Sequence, residues 1–75
     1  MPDKPITIDM KQVASSNIKR IGWKNNVLRV QFKNSGIYDY QEVSKEIYET
    51  MITSDSIGSF FARNIRGNYK YIKIS

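Results

Sequence analysis

The sequence predicts one α+β domain: an antiparallel meander of three strands plus a C-terminal fourth, with two short helices packed on one face. Three observations predict it. The middle of the chain holds runs in which apolar and polar residues alternate, separated by turns rich in Asn and Gly. After Glu42 the apolar period changes from that of a strand to that of a helix. The whole chain has 75 residues, which is the length of a single domain.

Residues 1–12 contain two prolines and mixed polarity and read as a loose N-terminal arm, with residues 13–75 as the domain. Ile6, Ile8 and Met10 alternate, which allows a short extended segment within the arm. The first strand runs from Ile18 to Trp23, with Ile21 and Trp23 on one face. Lys24-Asn25-Asn26 supplies a turn, because Asn tolerates left-handed backbone. Val27 to Lys33 is the clearest strand: Leu28, Val30 and Phe32 alternate with Arg29, Gln31 and Lys33. Asn34-Ser35-Gly36 turns the chain again, and Ile37 to Gln41 follows with Tyr38 and Tyr40 on one face. Leu28, Val30, Phe32, Tyr38 and Tyr40 form the face to be buried, and Arg29, Gln31, Lys33 and Asp39 are expected in water.

Ser44 is placed to cap a helix whose apolar face is Ile47, Tyr48, Met51 and Ile52. Asp55 or Ser56 caps a second, with Ile57, Phe60, Phe61 and Ile65 sharing a face and Gly67 positioned to end it. Tyr69 to Ile74 reads as a short strand at a sheet edge. Two such helices cannot bury their faces on each other alone, so they are expected to cover the apolar face of the meander.

Composition narrows the functional classes. There is no cysteine and no histidine. Disulfides are excluded, and a metal site would have to use carboxylates alone, which zinc seldom does. No metal or cofactor is therefore expected. A nucleophilic serine needs a base beside it, and no histidine is there to serve. The acids fall in turns or on a helix face, so enzymatic activity is not expected. The N-terminus has no apolar signal-like core and no stretch reaches membrane-spanning length. A cytoplasmic location without membrane contact is the expectation.

The net charge is +5, and it comes in blocks. Residues 17–33 hold Lys19, Arg20, Lys24, Arg29 and Lys33 without an acid. Residues 34–55 set Asp39, Glu42, Glu46, Glu49 and Asp55 against Lys45. Residues 56–75 hold Arg63, Arg66, Lys70 and Lys73, again without an acid. Blocks of this kind suit nucleic acid or another anion. Ordinary solubility charge is the competing reading.

Five pieces in order carry a resemblance: Val13-x-Ser15-Ser16-x-Ile18, Leu28-x-Val30-x-Phe32, Gly36-x-Tyr38-x-Tyr40, Ser56-x-Gly58-x-Phe60-Phe61 and Ile65-Arg66-x-x-Tyr69-x-Tyr71. Together they resemble the KTSC domain, which occurs as a C-terminal extension of some lysyl-tRNA synthetases and as a free-standing protein of bacteria and phages. The resemblance covers residues 13–74. It departs where the family pattern has Val-Pro and this chain has Val43-Ser44, where Ser54 stands for Ala, and where Trp23 stands for Tyr. The first two fall at helix starts and touch capping; the third keeps an aromatic. The synthetase context implies RNA binding.

Each candidate site has a structural reading beside its functional one. Tyr38 and Tyr40 either stack bases or pack under the helices. Arg20, Arg29 and Lys33 either contact phosphate along the open sheet face or protect it as solvated charge. Ser56-x-Gly58-Ser59 either holds a phosphate or is a plain cap. Arg63, Arg66 and Lys70 form a second basic cluster, with Arg66 inside a family-like motif. The predicted nucleic-acid contacts are thus Arg20, Arg29, Lys33, Arg63, Arg66 and Lys70. The expected function is a non-enzymatic accessory domain that binds RNA or single-stranded DNA. The alternative is a protein-binding module, such as a phage factor that occupies a host protein through Asp39, Glu42, Glu46 and Glu49.

Overall fold

The computed structural model describes residues 8–75. The elements are β1 (Lys11–Gln12), β2 (Ile18–Lys24), β3 (Val27–Phe32), β4 (Gly36–Tyr40), α1 (Lys45–Ile52), α2 (Ile57–Phe60), a π-helical segment (Phe61–Ile65) and β5 (Tyr71–Lys73). The five strands make one antiparallel sheet in sequence order. Among the described residues no helix is long and apolar enough to cross a membrane.

The β2–β3 turn forms as its residues dictate. Asn25 and Asn26 adopt φ of 52° and 65°, the two positive values of a tight hairpin turn. Cross-strand partners share a face, so the register defines the layers. One row is Trp23–Leu28–Tyr40–Tyr71 and the next is Ile21–Val30–Tyr38–Lys73. Both rows face the helices. Ile18, Ile21, Leu28, Val30, Tyr40, Val43, Met51, Phe61 and Ile65 form the buried core between the layers. Trp23 stacks on Tyr48 at 6.3 Å and donates its indole N–H to the Val43 carbonyl at 2.6 Å. That bond ties the start of the helical layer to the sheet.

Ser44 caps α1 by accepting the Ile47 N–H at 3.2 Å, and Ser56, rather than Asp55, caps α2 through the Ser59 N–H at 3.3 Å. The second helix departs from the expected regular α form. From Phe61 it widens to a π turn, closed by the Arg66 N–H on the Phe61 carbonyl at 2.9 Å. Arg66 then leaves in extended conformation, and Gly67 at φ 82° breaks the helix.

The opposite sheet face corrects two expectations. Arg29 and Asp39 were expected in water. They are each only 9% exposed and pair with one another. Their row is Gly22–Arg29–Asp39–Ile72. Residues 8–10 cross Gly22: a Cβ there would run into the Asp9 carbonyl oxygen and stand 2.7 Å from Ile8 Cγ2. Only a glycine lets this segment lie so close to the sheet. Ile8 is consequently buried, and Lys11–Gln12 adds a fifth strand beside β2. Residues 8–12 thus belong to the domain rather than to a loose arm; residues 1–7 lie outside the described residues.

Candidate functional site

Where the helical layer stops short of β5, the aromatic row of the sheet comes to the surface. The Tyr40 ring lies 5.3 Å from Phe61 and 5.4 Å from Tyr71, and Tyr38 lies 5.5 Å from Phe32 and 5.4 Å from Tyr71, centroid to centroid. Most of these pairs are edge-to-face, the arrangement that ring quadrupoles favour. Tyr40 is buried, Tyr38 is half-buried and Tyr71 is 57% exposed, so the row grades from core to solvent. Lys73 Nζ sits 5.9 Å from the centre of the Tyr38 ring, within cation–π range.

These rings form one wall of a groove of about 430 Å³. Phe61, Ala62, Arg66 and Gly67 form the opposite wall, and Asn17, Asn34 and Ser35 line one end. Arg66 is there because the π turn ends one residue before it and releases it in extended conformation. No Asp or Glu lines the groove. Among the described residues no carboxylate lies within ion-pair reach of Arg66. Burial pushes the Tyr40 hydroxyl pKa above its ordinary value; Tyr71 and Tyr38 push it the same way, and the Arg66 charge pulls it back. The groove therefore offers π faces, amide and hydroxyl groups, and one free guanidinium. It can hold a planar ring bearing an anion.

Of the six predicted contacts, the structure brings Arg66 alone into this groove. Lys33 opens the β3–β4 turn, beside Asn34 and Ser35, and is exposed. Arg63 is exposed on the π segment and lies outside the groove. Arg20 pairs with Gln12 and Gln31 and faces away, on the far side of the sheet. Lys70 precedes β5 and by alternation falls on that far side with Ile72. Arg29 is corrected: it donates Nε to Asp39 Oδ1 at 2.7 Å and Nη2 to Oδ2 at 2.9 Å, which occupies the fork that a phosphate would need. The stripe expected from Arg20 through Arg29 to Lys33 is thereby interrupted at its centre. Asp39, spent on Arg29, is also withdrawn from the acidic surface of the protein-binding alternative.

Tyr38 and Tyr40 pack beneath the helical layer, and their rings also line the groove. Tyr71 was not singled out from the sequence. The sequence places Tyr71 in a short edge strand, but only the pairing with Tyr40 shows which face of the sheet its ring takes. Ser56 caps α2 through the Ser59 N–H, and Ser56, Gly58 and Ser59 also line a second hollow beside the groove.

Comparison with known proteins follows the same residues. The family profile of the KTSC domain matches residues 14–69. An uncharacterized protein of Stutzerimonas stutzeri (strain A1501) is 30% identical over 70 residues, covering 87% of this chain and 99% of that protein. The crystal structure of a KTSC domain protein from Yersinia pestis superposes with a TM-score of 0.89 at 31% identity, covering 92% of this chain and all of that one.

Proposed function

We propose that this chain, which belongs to the KTSC domain family, is a small non-catalytic module that binds single-stranded nucleic acid, RNA or DNA, in the aromatic groove. One observation carries this reading: Arg66, free of any carboxylate partner among the described residues, shares a groove with the exposed ring of Tyr71. A base stacks on Tyr71 and its phosphate meets Arg66. Stacking on an aromatic is sequence-tolerant and contributes about 1–3 kcal/mol per base. The net charge of +5 draws the strand in from a distance. A duplex keeps its bases paired and stacked, and neither the eight-residue α1 nor the four-residue α2 presents a basic helix to a major groove. The domain would act in the cytoplasm as an accessory to a larger nucleic-acid process.

The test is charge reversal in the groove. Arg66→Glu is an exposed substitution and should leave the circular dichroism spectrum and melting temperature near those of the parent. Binding of a labelled single-stranded RNA should be lost. Full binding by the folded variant would remove the groove from consideration.

A second reading has its own observation. Among the described residues the exposed large apolar side chains are Tyr71, Ile72 and Ile74, all at the β5 edge of the sheet. An extended peptide of a partner protein can pair with such an edge. This reading gains if nucleic acid of every kind fails to bind.

A further inference from the structure

The groove continues past Gly58. A second hollow of about 400 Å³ adjoins it, bounded by Ser15, Ser16, Asp55, Ser56 and Ser59. Asn17, Gly58 and Ala62 line both hollows and form the saddle between them. A Cβ on Gly58 would meet Ser15 Oγ at 3.2 Å and nothing else within 4 Å. The missing side chain is what keeps the passage between α2 and the segment 14–17 open.

The two hollows differ in chemistry. The first has the tyrosines and Arg66; the second has neither an aromatic nor a cation, and it has the Asp55 carboxylate. Ser15 Oγ accepts the N–H groups of Asn17 and Ile18 at 3.3 and 3.2 Å, and Ser56 Oγ accepts that of Ser59 at 3.3 Å. Each hydroxyl keeps its own proton to donate outward. A phosphate is repelled by Asp55, whereas a sugar or a base edge, which both donates and accepts, is matched.

We infer that the site takes two consecutive nucleotides of a single strand, an inference that rests on the nucleic-acid reading above. The first nucleotide places its base on Tyr71 and its phosphate at Arg66. The backbone crosses the saddle at Gly58, and the sugar and base edge of the second lie among Ser15, Ser56 and Asp55. Each hollow has the volume of a site for one small ligand.

The experiment is a titration by nuclear magnetic resonance with oligouridylates of one to six residues at fixed low salt. Affinity should rise about tenfold from one residue to two, the scale of one or two net hydrogen bonds. Beyond two it should gain only the statistical factor of overlapping registers. Ser59→Leu, an exposed change that lines the second hollow and not the first, should keep the affinity for the mononucleotide and bring that for the dinucleotide down to it. Ser16→Leu, likewise exposed and lining the second hollow alone, should do the same, and retained mononucleotide binding certifies the fold of either variant. Mononucleotide binding without a step at two, a steep climb continuing to six, or unchanged dinucleotide affinity in both variants overturns the two-nucleotide site alone. Failure of every length to bind overturns the nucleic-acid reading with it.

Discussion

Asp39 receives Arg29 through two parallel bonds, Nε to Oδ1 at 2.7 Å and Nη2 to Oδ2 at 2.9 Å, on the sheet face turned away from the helices. The Asp39 hydrogen bond raises the Arg29 pKa against the opposing effect of burial. The pair links β3 to β4 and leaves no buried side-chain polar atom unsatisfied among the described residues. Arg29→Met strands a buried carboxylate and should destabilise the domain by about 3–5 kcal/mol, as lone members of buried pairs do. Arg29→Met with Asp39→Leu should recover most of that loss. Urea denaturation of the single and double variants measures both; equal stability of the single variant and the parent would mean the pair is dispensable.

Gly22 lies directly beneath residues 8–10. Gly22→Ala pushes a methyl group into the Asp9 carbonyl oxygen. The strap must lift, and the cost should be about 1–3 kcal/mol, typical of overpacking. Hydrogen exchange should speed up at Lys11 and Gln12, which pair with β2 beside it. Unchanged exchange there would show that residues 8–10 do not depend on the glycine.

Burial raises the hydroxyl pKa of both Tyr40 and Tyr48. The folded state thus holds these protons more tightly than the unfolded chain. Their contribution to stability is complete below the unfolded tyrosine value of about 10 and is lost as pH rises through the folded values. Urea midpoints should be flat from pH 7 to 9 and fall toward pH 11. Tyr40→Phe should fall less steeply over that interval; an identical slope would assign the alkaline loss to other groups.

Tyr71 and Arg66 should separate by their salt dependence. Tyr71→Ala should weaken single-strand binding by about 1–3 kcal/mol with the salt slope unchanged. Arg66→Gln should weaken it and reduce the slope of log K against log salt by about 0.7, the value for one phosphate on a single strand. Equal slopes in the parent and the Arg66 variant would place the phosphate contact elsewhere.

The meander and its buried face could be read from the chain because alternation and turn chemistry agree over residues 18–41. Asn25 and Asn26 turn as their side chains allow, and Leu28, Val30 and Tyr40 go inward. Ser44, Ser56 and Gly67 bound the helices where capping chemistry puts them. What misled was the assumption that a charged residue on the polar side of a strand meets water. Arg29 and Asp39 are twelve-and-under percent exposed at their side chains because they satisfy each other across β3 and β4, and alternation carries no information about cross-strand partners. The alternation of Ile8 and Met10 allows an extended N-terminal segment, but its docking on the sheet is not legible because its determinant is the absence of a side chain at Gly22. The groove was half legible: Arg66, Tyr38 and Tyr40 each stood out, whereas Tyr71 joins them only through the β4–β5 register.

The most direct test of the nucleic-acid reading is titration of the domain against labelled single-stranded RNA, single-stranded DNA and duplex DNA of one sequence, at two salt concentrations. The account predicts micromolar or tighter, salt-weakened binding to a single strand, and weaker binding to the duplex. Absence of single-strand binding at the lower salt, or binding to the duplex as tight as to the single strand, would contradict it.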